Sequence, residues 1–163
     1  IMGEYNPYTP PLGFYFKVSM PLKIPILNKY LELEFSFQSA SGLTKEIVTE
    51  TFREGGQAYD YALPVKTQYS ELVLKRGLWI PSEPKPSLDL WQAWFNSTMQ
   101  EFRVHPANLQ ISLLRPDGNP SMTWYIKRAW PKKWTIADFN AEENQVVIET
   151  MEMRYDSFTI NQE

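Results

Sequence analysis

The stretch YSELVLKRGLWIPSEPKPSLDLWQAWFN, Tyr69–Asn96, carries the reading of the fold. Its first part alternates Leu72 and Leu74 with Val73 and Lys75, as a strand does when successive side chains point to opposite faces. The alternation halts at Lys75-Arg76-Gly77, and Pro81, Pro84 and Pro86 follow. The chain then resumes as SLDLWQAWFNSTMQEF, where Trp91, Trp94, Phe95, Met99 and Phe102 recur at helical spacing. Ser87 is placed to cap this helix and Asp89 to favour the positive end of its dipole. A helix with so apolar a stripe must bury it, and the neighbouring segments show against what.

Those segments read as strands. GFYFKVSM sets Phe14, Phe16, Val18 and Met20 on one face. LELEFSFQ sets Leu31, Leu33, Phe35 and Phe37 opposite Glu32, Glu34, Ser36 and Gln38. The pattern returns over 46–53, 69–76, 108–115, 121–128 and 145–155, giving at least seven strands with β-branched and aromatic residues suited to a pleated surface. In RPDGNP, 115–120, Pro116 presets φ and Gly118 tolerates φ > 0, so a tight turn joins two antiparallel strands. Runs of strands with one helix, and no regular βα alternation, imply an α+β fold or a barrel flanked by a helix.

Composition bounds the function. The 163 residues include 43% hydrophobic and 21% charged, the balance of one soluble globular domain. A net charge of -3 argues against a surface built to hold phosphate backbones. With no cysteine and one histidine, thiolate chemistry and most zinc designs are excluded. No basic region followed by an apolar run opens the chain and no segment has the roughly 18 apolar residues of a span, so neither a signal peptide nor membrane insertion is expected.

Candidate chemistry is sparse. His105 precedes Pro106 with no relay partner nearby in sequence. Glu149 with Glu152, or Glu32 with Glu34, are the carboxylates to weigh as an acid/base pair. Glu32 and Glu34, two apart on a strand, simply share its wet face. Gly55-Gly56 lacks the spacing of a phosphate cradle, and the Asn96-Ser-Thr sequon falls inside the helix. No catalytic, cofactor or metal site is expected. Trp91 and Trp94 could serve a carbohydrate-binding module, but at helical spacing they read as core. Many short strands also expose backbone edges, which identical subunits can use to build rings or filaments.

SGLTKEIVTETFREGG (41–56), LPVKTQYSELVLKRGL (63–78), LQISLLRPDGNPSMTWYIKRAWPKKW (109–134) and DFNAEENQVVIETMEMRYDSF (138–158), taken in order, resemble the tail tube family of contractile phages and phage-like injection particles. The resemblance covers nearly the whole chain. It implies a mainly β (α+β) fold: a compact antiparallel β-barrel or sandwich of about seven or more strands with one flanking amphipathic helix, similar to the haemolysin-coregulated tube protein of type VI secretion. It implies a single tail-tube domain over 1–163, with 1–12 as an extended N-terminal arm.

The resemblance further implies hexameric rings stacked into a hollow tube inside a contractile sheath. Sheath subunits, baseplate and tube-terminator proteins are the implied partners, and cargo or DNA passes through the lumen. Assembly is expected in the bacterial cytoplasm, within a virion tail or an extracellular or cell-attached particle. In such a tube, LVLKRG (72–77) is a strand receiving Trp91, Trp94 and Phe95, and Arg76-Gly77 turns the chain off the sheet. The loop 54–64 is the expected site of contacts between subunits or rings, through Glu54, Gly55, Gly56, Gln57, Tyr59 and Tyr61, because aromatics are enriched at interface cores. Glu32, Glu34, Ser36, Gln38, Thr49 and Thr51 are the candidates to line the lumen. Two proline-bearing departures, PLKIPILNKYLEL (21–33) and WIPSEPKPS (79–87), leave open the related protein that forms the first ring on the baseplate.

Overall fold

In the computed structural model, residues 15–24, 29–77, 86–137 and 148–162 are described. The proposed arm at 1–12, most of the proline-rich approach to the helix and residues 145–147 lie outside them. In chain order the elements are β1 (Tyr15–Ile24), β2 (Lys29–Phe37), β3 (Ser39–Ser41), β4 (Lys45–Phe52), β5 (Tyr61–Tyr69), β6 (Leu72–Gly77), α1 (Pro86–Glu101), β7 (Ala107–Leu114), β8 (Pro120–Ile136), β9 (Ile148–Arg154) and β10 (Ser157–Gln162).

Among the described residues all strand pairs are antiparallel, and two sheets share the long strand β8. One sheet runs β2-β1-β7-β8-β10 and the other β8-β9-β6-β3. The first half of β8 pairs with β7 and β10, while its second half pairs with β9. The change of sheet occurs near Arg128, whose φ of 53° lies in the left-handed region. That corner is pinned: the Arg128 amide donates to Asn108 Oδ1 at 3.1 Å, and its guanidinium meets Asp156 at 3.2 Å. β9 and β10 bend at the same level, across Tyr155 and Asp156. Bends of this kind let two sheets fold onto one core.

The alternating residues supply that core. Val18, Met20, Leu33, Phe35, Ile111 and Ile126 come from the first sheet; Leu72, Leu74, Met151 and Met153 come from the second. Helix α1 adds Trp91, Trp94 and Phe95, exposed by 1, 8 and 6%. Among the described residues the helix lies against β2 and β8, with Trp91 4.5 Å from Phe35 and 6.2 Å from Phe37 between ring centroids. The Trp91 indole donates to Met151 Sδ at 3.1 Å, so its polar atom is also satisfied. β6 joins the same cluster but is not the strand the helix crosses.

Three expectations are corrected. The apolar stripe does not extend to Phe102: α1 ends at Glu101, and Phe102 sits at φ 55° with its side chain 88% exposed. The chain leaves the helix there, and the Arg103 amide donates back to Ser97 O at 3.0 Å. Ser87 falls within the first turn, because the helix opens at Pro86, a position that proline's fixed φ suits. The strand expected over 69–76 is two strands, since the chain passes from β5 to β6 at Ser70-Glu71.

Nor does β6 stop at its charges. Lys75 and Arg76 pair with Thr150 and Glu149 of β9. Arg76 Nε donates to Glu149 Oε2 at 2.6 Å, with side chains only 13 and 4% exposed, and Trp134 Nε1 donates to the other carboxylate oxygen at 2.5 Å. Removing one partner of such a buried pair strands the other charge. Glu149→Ala is therefore expected to lower stability by about 3–5 kcal/mol, read as a shifted denaturation midpoint with an unchanged slope.

Candidate functional site

The carboxylates and the histidine show no catalytic arrangement. Glu149 and Glu152 occupy opposite faces of β9, one buried and the other half-buried. Both Glu149 oxygens are already engaged. A groove of about 310 Å³ beside α1 is lined by Gln92, Asn96, Trp134 and this same Glu149, so it offers no free acid or base. His105 stands in the exposed loop after the helix, where its carbonyl accepts from Trp94 Nε1 at 2.7 Å. Among the described residues no three His, Cys, Asp or Glu converge on a metal position, and no helix is long and apolar enough to cross a membrane.

What stands out instead, among the described residues, is exposed apolar surface. β4 and β5 form a two-stranded sheet of their own. Its pairs Phe52–Tyr61 and Glu50–Leu63 share one face, and Thr51–Ala62 and Thr49–Pro64 share the other. Phe52, Tyr61 and Leu63 thus make an apolar patch, exposed by 48, 39 and 50%. A register shift beside Val48 and Thr49 leaves Val65 as an extra residue, which accommodates Pro64 and its missing N–H. Ile47 and Val65 add further exposed apolar surface near that shift. Among the described residues neither a third strand nor a core lies beneath it, and such a hairpin is at best marginally stable by itself.

The expected contact loop is therefore shorter than 54–64. Tyr61–Pro64 belong to β5, and only 53–60 form the tip. Gly56 requires its residue type there, with φ 92°. The Gln57 amide donates to Glu54 O at 3.3 Å, and Arg53 meets Asp60 at 3.1 Å. Gly55 projects into open space. Tyr59, 62% exposed, meets Tyr61 edge-on at 5.2 Å. The sequence pattern contained β5: Tyr61, Leu63 and Val65 alternate, but Pro64 and the nearby glycines disguised its start as loop.

At its root the hairpin is tied to the body. Gly42, at φ 81°, runs so close to the return strand that an added Cβ would lie 1.7 Å from Glu71 O. The Tyr155 hydroxyl donates to Gly42 O at 3.2 Å. Tyr69, Tyr155 and Phe158 stack edge-on or tilted, with the Lys45 ammonium 5.8 Å from the Tyr69 ring and 5.2 Å from Phe158. Glu71 accepts from Lys132 and lies 3.4 Å from Arg154. The Lys132 hydrogen bond holds the Glu71 pKa below its ordinary value, aided by the charges of Lys132, Arg154 and Lys133 against a burial effect of opposite sign.

Burial, with a smaller effect from Tyr69, pushes the Tyr155 pKa up to about 12 from 10.0. The folded chain thus favours the neutral phenol. Its contribution to stability is full below pH 10 and is lost as pH rises through about 12. Parent protein should lose more stability over that window than Tyr155→Phe does, as followed by chemical denaturation at each pH.

The six candidates for a lumen wall do not come together. Glu32, Glu34 and Ser36 are exposed on the non-core face of β2, and Gln38 stands at the bend into β3. Thr49 and Thr51 sit apart, on the hairpin face opposite Phe52, Tyr61 and Leu63. In place of that grouping, cross-strand register builds two polar rows across the five-stranded sheet. One is Ser36-Lys17-Ser112-Thr123-Asn161 and the other Glu34-Ser19-Gln110-Tyr125-Thr159. Lys17 pairs with Glu34 at 2.5 Å, and the Ser112 and Thr123 hydroxyls lie 3.3 Å apart. Single-strand periodicity finds each polar face, but only pairing reveals that the faces align.

This sheet has two open borders. Among the described residues β2 pairs only with β1 and β10 only with β8. Alternating antiparallel neighbours make β2 and β10 run in the same direction.

The sequence profile of the family described as T4-like virus tail tube protein gp19 matches residues 12–159. A chain in a cryo-EM structure of the anti-feeding prophage (AFP) baseplate, 6-fold symmetrised, is 29% identical with a TM-score of 0.75, covering 94% of this chain and 97% of that one. A chain in the extended sheath-tube complex of the PVC extracellular contractile injection system is 23% identical, with a TM-score of 0.71 and coverage of 96% and 94%. A crystal structure of an Hcp protein shares the fold at 11% identity and a TM-score of 0.54, with coverage of 92% and 99%. No curated protein sequence matches the chain.

Proposed function

Because the chain belongs to the T4-like virus tail tube protein family, and is thus a structural tube subunit, we propose that its copies close into hexameric rings that stack into a hollow tube. The single observation that carries this reading is the pair of open borders, β2 and β10, flanking a sheet whose outer face is polar. A rotation about a ring axis preserves strand direction, so β10 of one copy meets β2 of the next in parallel. The polar rows then face the channel, with Lys17 neutralising Glu34, and cargo or DNA passes the accessible hydroxyls and amides of Ser36, Gln110, Ser112, Thr159 and Asn161, while Ser19 and Thr123 are buried in the subunit.

Magnitudes indicate why both borders and hairpin are needed. Main-chain hydrogen bonds net about 0.5–1.5 kcal/mol each. Burying the remaining half of a large apolar side chain adds about 1 kcal/mol. Association costs about 4–15 kcal/mol in lost freedom, so a short parallel joint alone is insufficient. The apolar patch of Phe52, Tyr61 and Leu63, set on a neighbouring copy in the same ring or the next, supplies the remainder. Glu54, Gly55, Gly56, Gln57 and Tyr59 at the tip reach furthest into that neighbour.

Sheath subunits take the outer surface, and baseplate and terminator proteins take the two ends. The protein is part of a phage tail or an extracellular contractile particle; its assembly is proposed to occur in the bacterial cytoplasm. The 29% identity to a chain of a baseplate structure, against 23% to one of a sheath-tube complex, favours a second reading as the baseplate-proximal ring. Mass measurement with negative-stain microscopy tests both. Particles of six times the 19.1 kDa monomer, alone or stacked, are expected; long tubes favour the repeated subunit and isolated rings the initiator. Monomers at every concentration, with sugar-quenched tryptophan fluorescence, would instead support a carbohydrate-binding module.

A further inference from the structure

We propose that Tyr155 and Glu71 are positioning residues for assembly: they clamp the root of the β4–β5 hairpin so that the subunit arrives with its docking arm already at a fixed angle. The inference rests on the proposed use of the hairpin as an interface. A projecting two-stranded hairpin would ordinarily swing about its two connections to the body. Here both connections are held. The first, at Gly42, receives the Tyr155 hydroxyl at 3.2 Å and touches the second backbone to backbone. The second, at Glu71, is tied by Lys132 to β8 and by Arg154 to β9. Ser70 N donates to Thr44 O at 3.3 Å across the gap between them.

These ties come from two parts of the body, Lys132 of β8 and the consecutive Arg154 and Tyr155, and converge on Gly42 and Glu71, where the two connections leave β3 and enter β6. None of them touches the apolar patch. Their effect on assembly is therefore entropic: an arm held at one angle loses less freedom on docking than one that samples many.

The chain has no cysteine, so Ala58→Cys at the tip and Asn96→Cys on α1, both exposed, accept two spin labels and nothing else does. Pulsed electron resonance on the labelled monomer is expected to give one narrow distance distribution. Adding Tyr155→Phe or Glu71→Gln should broaden it. In unlabelled protein the same substitutions should raise the concentration needed for ring formation by about threefold to tenfold, the equivalent of one hydrogen bond per joint.

A broad distribution in the parent overturns the clamp, and so does an unchanged width in both variants. Leu63→Lys in the same assembly assay separates the two levels. If it blocks rings while both root variants assemble as the parent does, the clamp alone fails; if it too assembles normally, the interface role of the hairpin fails.

Discussion

Leu63→Lys is expected to leave the monomer folded and to abolish rings at concentrations at least 100-fold above those at which the parent assembles. Leu63 is half exposed in the monomer and makes no part of the core cluster. It stands opposite Glu50, so a lysine there meets an opposite charge within the hairpin and does not weaken it. Exposed substitutions away from structural features change stability by about 0.5 kcal/mol or less. In the assembled ring, however, the ammonium is desolvated against apolar surface, a cost of several kcal/mol per ion that attraction to Glu50 offsets only in part. A tenfold change in affinity corresponds to about 1.4 kcal/mol, so a single joint loses more than two orders of magnitude. Sedimentation with electron microscopy checks assembly, and circular dichroism with a melting curve checks the fold. Rings from a well-folded variant would remove this face from the interface.

Trp91→Ala is expected to act on the subunit itself, lowering stability by about 3–5 kcal/mol, as large a loss as that of Glu149→Ala. Its ring is 1% exposed and lies among Phe35, Phe37, Trp94 and Phe95. These neighbours belong to different elements, so they cannot close in together to fill the cavity. Phe102 supplies the contrast. It is aromatic, three residues beyond Met99 and equally in step with the helical pattern, yet its side chain is in solvent and its φ is 55°. Phe102→Gly should be neutral or slightly stabilising, because glycine adopts that backbone freely. Urea denaturation of both variants beside the parent decides the matter; an unchanged midpoint for Trp91→Ala would contradict its place in the core.

The contrast between Trp91 and Phe102 also marks how far the sequence could be read. Period-two alternation located β1, β2, β6, β7 and β9, because each buries one face in the subunit's own core. The same alternation in EIVTETF predicted a half-buried strand, and the structure leaves both its faces open. Periodicity reports that a face is apolar, without saying whether the cover comes from the same chain. β10 escaped notice because its start, beside Asp156 and Ser157, carries the residues of a turn.

Arg76 shows the opposite failure. A charge inside a strand reads as its end, unless the partner is known, and the partner Glu149 lies 73 residues further along the chain. Surface position was also hidden. The polar rows become visible only when β1, β7, β8 and β10 are set side by side, for which sequence gives the periodicity but not the order. Family resemblance supplied the tube, while the borders and the projecting hairpin needed coordinates.

The most direct measurement is a cryo-EM map of the assembled ring at a resolution that traces main chain. The account predicts β10 of each copy running alongside β2 of the next in the same direction, with Gln110, Ser112 and Thr159 facing the channel and Leu63 buried on a neighbour. A ring in which β2 and β10 remain unpaired, or in which those polar rows face outward, would contradict it.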